Sequence, residues 1–213
     1  MKQIKVGITG NIGSGKTTVS KLFEELGIPV FNSDKASREA ESNEEMVVKI
    51  KEILGDDIYI NGVIDRPRMR DMVFKNPEIL AKMNALVAPF VKETFRNFCT
   101  DNAQSPIIMI ESAILFELNA TDSLDKIIVV TADEELRIQR AMKRDGISRE
   151  QVLDKIKAQF SDKEKIERAD FLIYNNGADL IDSIHPLKLQ IKPIMGVLFY
   201  EQFINYMNEI IKK

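Results

Sequence analysis

With a single cysteine, Cys99, among 213 residues, the chain cannot close an internal disulfide. That excludes a disulfide-stapled secreted domain and fits a reducing cytoplasm. Cys99 follows Phe95 and Phe98 in a helical pattern and reads as a buried core thiol, not a nucleophile. The one histidine, His185, precedes Pro186, joins no cluster of catalytic or ligating residues, and reads as structural. No apolar run approaches the roughly 18 to 20 residues that span a bilayer, so no membrane partner is expected. The N-terminus enters a β-rich run at once, so no signal peptide is expected. An excess of one charge is missing too: 30 Lys and Arg against 33 Asp and Glu give a formal −3. No global basic field exists to bind nucleic acid nonspecifically. Repeats, low-complexity tracts and a domain-separating linker are also lacking. A soluble cytoplasmic chain is expected, one domain or one domain with insertions.

Residues Gly10-Asn11-Ile12-Gly13-Ser14-Gly15-Lys16-Thr17 make a complete G-x-x-x-x-G-K-[ST] phosphate-binding loop. Before it, Ile4–Thr9 is a short β-rich run. After it, Val19, Leu22, Phe23 and Leu26 recur at helical spacing. Strand, glycine loop and helix are the context this motif requires. Glycines let successive N–H groups turn inward toward phosphate oxygens, and the helix N-terminus adds positive charge. Lys16 is expected at the outer phosphates and the Thr17 hydroxyl on Mg²⁺. The chain is therefore expected to bind a nucleoside triphosphate.

Further strands are expected at Ile28–Phe31, Ile107–Ile110, Ile127–Thr131 and Phe171–Tyr174, all continuous apolar runs. Such runs suit a parallel sheet covered on both faces, and the helical patterns between them point to a doubly wound α/β fold. Between Asp34 and Ser105 there is no convincing strand except around Ile58–Ile60. Glu44–Leu54, Arg66–Phe74 and Pro77–Cys99 read as helices, the last broken near Pro89, so this stretch is a helical insertion. From Asp133 to Ala169 the sequence is charged and helical, split near Gly146 with a new start at Ser148. A nucleotide-binding core with these two additions is the layout of a small phosphotransferase with an acceptor site and a lid.

Asp34 follows the second strand, where parallel sheets place ligands. It either takes a proton from an attacking hydroxyl and organises magnesium, or caps the next helix. Glu111 ends the buried run Ile107–Glu111 and either orients Mg²⁺ or caps a turn. Arg137, Arg140 and Arg144 share one helix face by spacing. They suit phosphate oxygens brought under a closing helix, or a solvated face paired with Asp133, Glu134 and Asp145. One or two of Arg66, Arg68 and Arg70 could meet an anionic acceptor.

Taken with Leu26–Val30, Asp65–Arg70, Asn84–Pro89, Ile114–Glu117, Arg140–Gly146, Ala158-Gln159 and Ala169–Gly177, the loop makes this chain resemble the dephospho-CoA kinase family over nearly its whole length. That resemblance implies a P-loop core with a five-stranded parallel sheet flanked by helices, at about 1–58, 105–132 and 169–213. It also implies a helical acceptor-binding insertion at about 59–104 and a helical lid at about 133–168. The implied reaction moves the ATP γ-phosphate to the ribose 3′-hydroxyl of dephospho-CoA, with Mg²⁺ as cofactor, completing coenzyme A synthesis. Asp34, Lys16 and Arg140 are the implied catalytic residues. Asn11 to Thr18, Arg144, Asn175 and Asn176 would serve ATP. Asp34, Arg66, Arg70 and Leu115 would serve the acceptor, and Thr17 and Glu111 the metal. The chain departs from the family's pattern at Ala88 (usually histidine), at Glu111-Ser112-Ala113 (usually Asp-Val-Pro) and at Tyr174 (usually aspartate). A kinase for another small acceptor and a non-catalytic nucleotide switch are the alternative readings. Oligomeric state is left open.

Overall fold

A computed structural model describes residues 2–178 and 180–211, without the side chains of Phe74, Leu180, Ile181, Tyr206, Glu209, Ile210 and Ile211. The chain divides into two compact units, residues 1–31 with 101–213, and Asn32–Thr100.

The first unit is built on a five-stranded sheet of β1 (Ile4–Thr9), β2 (Val30–Asn32), β5 (Ile107–Glu111), β6 (Lys126–Thr131) and β7 (Phe171–Tyr174), in the order β2-β5-β1-β6-β7. β1 runs parallel to β5 and β6, and β6 to β7, with Ile4 opposite Ile107 and Val6 opposite Lys126. All five residues of β5 are buried, as expected of central strands covered on both faces. Helices α1 (Lys16–Glu25) and α9 (Leu180–Ile211) close one side. Val19, Leu22 and Phe23 meet Leu187, Ile191, Ile194 and Leu198 over Ile4, Val6 and Ile8. α9 is one helix that continues through Pro186 and Pro193. Its inner face enters this core, while Phe199, Tyr200 and Phe203 on its outer face are exposed. His185 is exposed as well.

The charged stretch after β6 forms α6 (Glu134–Asp145), α7 (Arg149–Lys157) and α8 (Asp162–Ile166). α6 ends on the left-handed Gly146, and α7 begins at a capping box in which Ser148 and Gln151 exchange hydrogen bonds. Ile138, Ala141 and Val152 form the small apolar seam of this hairpin.

In the second unit, α2 (Ser33–Ala40), α3 (Glu44–Leu54), α4 (Arg66–Lys75) and α5 (Pro77–Asp101) surround Ala40, Met46, Ile50, Leu54, Ile58 and Met83. Because α2 and α3 share that core, the unit begins at Asn32, well before the boundary expected near residue 59. α5 crosses Pro89 without ending. Cys99, expected in a core, is half-buried. Where only an uncertain strand was expected, Tyr59–Ile60 (β3) and Val63–Ile64 (β4) form an antiparallel hairpin. Asn61 (φ 52°) and Gly62 (φ 79°) make its two-residue turn, the Asn-Gly geometry that matches strand twist.

Candidate active site

The phosphate loop joins the carboxyl end of β1 to α1. Gly15, at φ 90°, caps α1, and its carbonyl accepts from the N–H of Thr18 and Val19 at 3.0 and 3.1 Å. A Cβ on Gly15 would lie 2.0 Å from Nδ2 of Asn175, and one on Gly13 2.1 Å from the Arg137 carbonyl oxygen. Both glycines thus combine a left-handed backbone with a contact that admits no side chain. Lys16 Nζ donates to the carbonyl of Gly10 at 2.9 Å and lies 3.5 Å from that of Asn11. Thr17 Oγ1 donates to Glu111 Oε1 at 2.7 Å. The loop therefore gathers an ammonium, a hydroxyl and a carboxylate. An all-oxygen pair such as Thr17 and Glu111 fits Mg²⁺, a hard cation that takes one or two protein oxygens with phosphates and water. Among the described residues no cluster of three or more His, Cys, Asp or Glu forms a dedicated cage.

The three arginines of α6 share the expected face but have three different surroundings. Arg140 reaches the loop: its guanidinium donates to the carbonyls of Asn175 (2.9 Å), Gly177 (2.6 Å) and Gly13 (3.4 Å). Partial burial draws its pKa down. Arg144 is exposed and lies bidentate on Asp145 at 2.7 and 3.0 Å. Arg137 is 1% exposed, bonded to the Ala132 carbonyl and to Asp162. It is an internal ion-pair residue, not a cation offered to phosphate.

Asn175 is buried, and its amide donates to the Ser14 carbonyl at 2.9 Å, so it supports the loop from beneath. Asn176 accepts from the Asp133 N–H at 3.0 Å, at the start of α6. Leu115 is 1% exposed, and a Cβ on Gly7 would meet it at 2.8 Å, so it fills the space over β1.

In the second unit, the N-cap of α2 is Asn32, whose side chain accepts from Lys35 N–H at 2.8 Å. Asp34 is exposed in the first turn, and its carboxylate makes no hydrogen bond or ion pair among the described residues. The alternative in which Asp34 serves as the cap is thereby removed. Arg66 is held by Glu41 at 2.9 Å and Arg68 by Asp57 at 2.6 Å. Arg70 is exposed and unpaired among the described residues.

A family model described as dephospho-CoA kinase matches residues 4–180. A dephospho-CoA kinase of Bacteroides fragilis is 37% identical over 205 residues, 96% of each chain. The chain belongs to the dephospho-CoA kinase family. A member from Leptospira interrogans is 36% identical over 86% of this chain and 88% of its own. Among solved structures, a Thermus thermophilus protein superposes with a TM-score of 0.80 at 33% identity, over 93% of this chain and 99% of its own. The dephospho-CoA kinase of Campylobacter jejuni shares the fold, with a TM-score of 0.62 at 23% identity.

Sequence reasoning missed Asp162, Lys165 and the cap at Asn32. Ser161 with Glu164 forms a capping box, so the sequence did signal a helix start beside Asp162. No local signal marks Lys165, which is fully buried on the Ala113 carbonyl and Glu117 at 2.8 and 2.9 Å. Burial lowers its pKa, although Glu117 and Asp162 oppose this.

Proposed function

We propose that this chain is a dephospho-CoA kinase that transfers the γ-phosphoryl group of ATP to the ribose 3′-hydroxyl of dephospho-CoA. The observation that carries the reading is the complete phosphate loop, with Lys16 and the Thr17–Glu111 pair in place, in a member of this family. Phosphoryl transfer asks the protein for positioning and charge neutralisation more than covalent chemistry.

Main-chain N–H groups from Gly13 to Thr18 and the Lys16 ammonium would hold the ATP phosphates. Thr17 and Glu111 would hold Mg²⁺, which when bound with ATP neutralises phosphate charge. Arg140, anchored on the Gly13 carbonyl, would add a fixed positive charge beside the loop, and Arg144 an outer one. Asp34, whose carboxylate is unengaged among the described residues, would orient the acceptor hydroxyl or take its proton. Arg70 and Arg66 would face the anionic acceptor. Asn175 and Asn176 would shape the ATP site through the backbone they hold. The reaction would run in the cytoplasm, the reducing compartment that a single cysteine fits.

The test is ADP release from Mg-ATP with dephospho-CoA, adenosine, AMP or gluconate as acceptor. Release with dephospho-CoA alone, yielding coenzyme A by mass, is the expected result. Release with another acceptor would keep the kinase chemistry and reject the substrate. ATP binding without any release would reject catalysis.

A further inference from the structure

Beside the phosphate loop lies a partly buried charge network that the chemistry above does not use. Asp162 opens α8, and its carboxylate faces two ways. Oδ2 accepts from the guanidinium of the buried Arg137, which also donates to the Ala132 carbonyl at 3.0 Å. Oδ1 accepts from Nδ2 of Asn11 at 3.0 Å. Asn11 is 1% exposed, and its own Oδ1 has no partner among the described residues. Among those residues the bond to Asp162 is what orients this amide. Nearby, Gln159 Oε1 accepts from the N–H of Ile12 at 3.0 Å. The Ile12 side chain packs into the Ile138, Ala141, Val152 seam. The first half of the loop is thus gripped from outside by side chains of the segment that leads into α8.

The main-chain carbonyl of Asn11 closes the loop's turn by accepting from Ser14 N–H at 3.1 Å, and it lies 3.5 Å from Lys16 Nζ. Fixing Asn11 therefore fixes the turn from which the following N–H groups point. A carboxylate this close to an anion site would repel phosphate if it stood alone. The buried Arg137 cancels that charge while leaving the acceptor oxygen in place.

We infer that Asp162 is a positioning residue for ATP. It acts through Asn11 to preset the phosphate loop, and Arg137 keeps it electrically silent. The inference rests on the reading that this loop holds the ATP phosphates. A loop held before binding has less freedom to lose when the phosphates arrive.

Removing Asp162 alone would strand the Arg137 cation, so the ion pair is removed as a pair in Arg137→Met/Asp162→Leu. This variant, Asn11→Ala and their combination are compared for KM of ATP, KM of dephospho-CoA, kcat and melting temperature. Loss of one charge-assisted hydrogen bond predicts a rise of about tenfold in KM for ATP, with KM for dephospho-CoA near normal. The combination with Asn11→Ala should be no worse than the worse of the two. A normal KM for ATP, or effects that multiply with Asn11→Ala, would overturn the inference and leave the pair a structural one. If the pair variant does not fold, Asn11→Ala, which keeps the Arg137–Asp162 pair and removes the amide that Asp162 holds, is read the same way. Lys16→Met is the control: a normal KM for ATP there would reject the loop reading itself.

Discussion

Asp34 and Arg140 test the chemistry at the scale of single residues because neither is needed to build the core. Asn32, not Asp34, caps α2, so Asp34→Asn removes only a first-turn charge, worth less than about 1 kcal/mol. Turnover should nearly vanish while ATP affinity and melting temperature stay close to normal; a stable variant with normal turnover would end the proposed role. Arg140→Ala withdraws a fixed cation from beside the loop and should lower kcat by about 10² to 10³, far more than it raises KM for ATP. A change confined to KM would make Arg140 an ATP-binding residue alone. Lys16 and Thr17 were legible in the sequence because the motif fixes their spacing to the glycines. The fates of Arg137, Arg140 and Arg144 were not. Spacing assigns all three to one face, and only Asp162, far along the chain, decides that the first is drawn inside.

Among the elements, the α6–α7 hairpin has a pH dependence written into its corner. Asp145 ends α6 with its carboxylate hydrogen-bonded by Arg144 and approached by Lys155 at 3.3 Å, and its pKa falls from 3.8 to about 2. A carboxylate held below its ordinary value stabilises the fold when ionised. The contribution is full above about pH 4 and fades as pH drops toward about 2. Amide exchange in α6 and α7 should therefore quicken as pH falls through that window, after correction for intrinsic rates, and Arg144→Gln should remove much of the change. Periodicity and capping signals made this hairpin readable, down to its restart at Ser148. The β3–β4 hairpin escaped because each strand is two residues long, too short for alternation to register; the Asn61-Gly62 pair was the available signal. α5 was expected to break at Pro89 because local sterics disfavour proline inside a helix. In the structure the helix continues, with Met83 and Phe95 on either side of Pro89 both buried.

For the molecule as a whole, the two units have separate cores, and stability should show it. Ile50 is fully buried among the second unit's apolar residues, so Ile50→Ala should cost about 2–5 kcal/mol. Hydrogen exchange should rise across residues 32–100 while the sheet amides stay protected and KM for ATP stays near normal. A matching rise throughout the sheet would show a single cooperative block. The parallel sheet was legible because its strands are unbroken apolar runs. The unit boundary was not, since sharing a core is a property of the folded chain, and α2 looks local until Ala40 is seen to join Met46 and Met83. The sheet order also sets a schedule. β1 leaves the ribosome well before its sheet neighbours, which begin only at Ile107 and Lys126. At synthesis rates of about 5–20 residues per second, that apolar strand waits about 5 to 20 s for a partner. All of Asn32–Thr100 is made during the interval. Slowing translation between residues 10 and 107 would lengthen the life of an unpaired strand, and the loss would fall on yield, with the specific activity of the finished enzyme untouched.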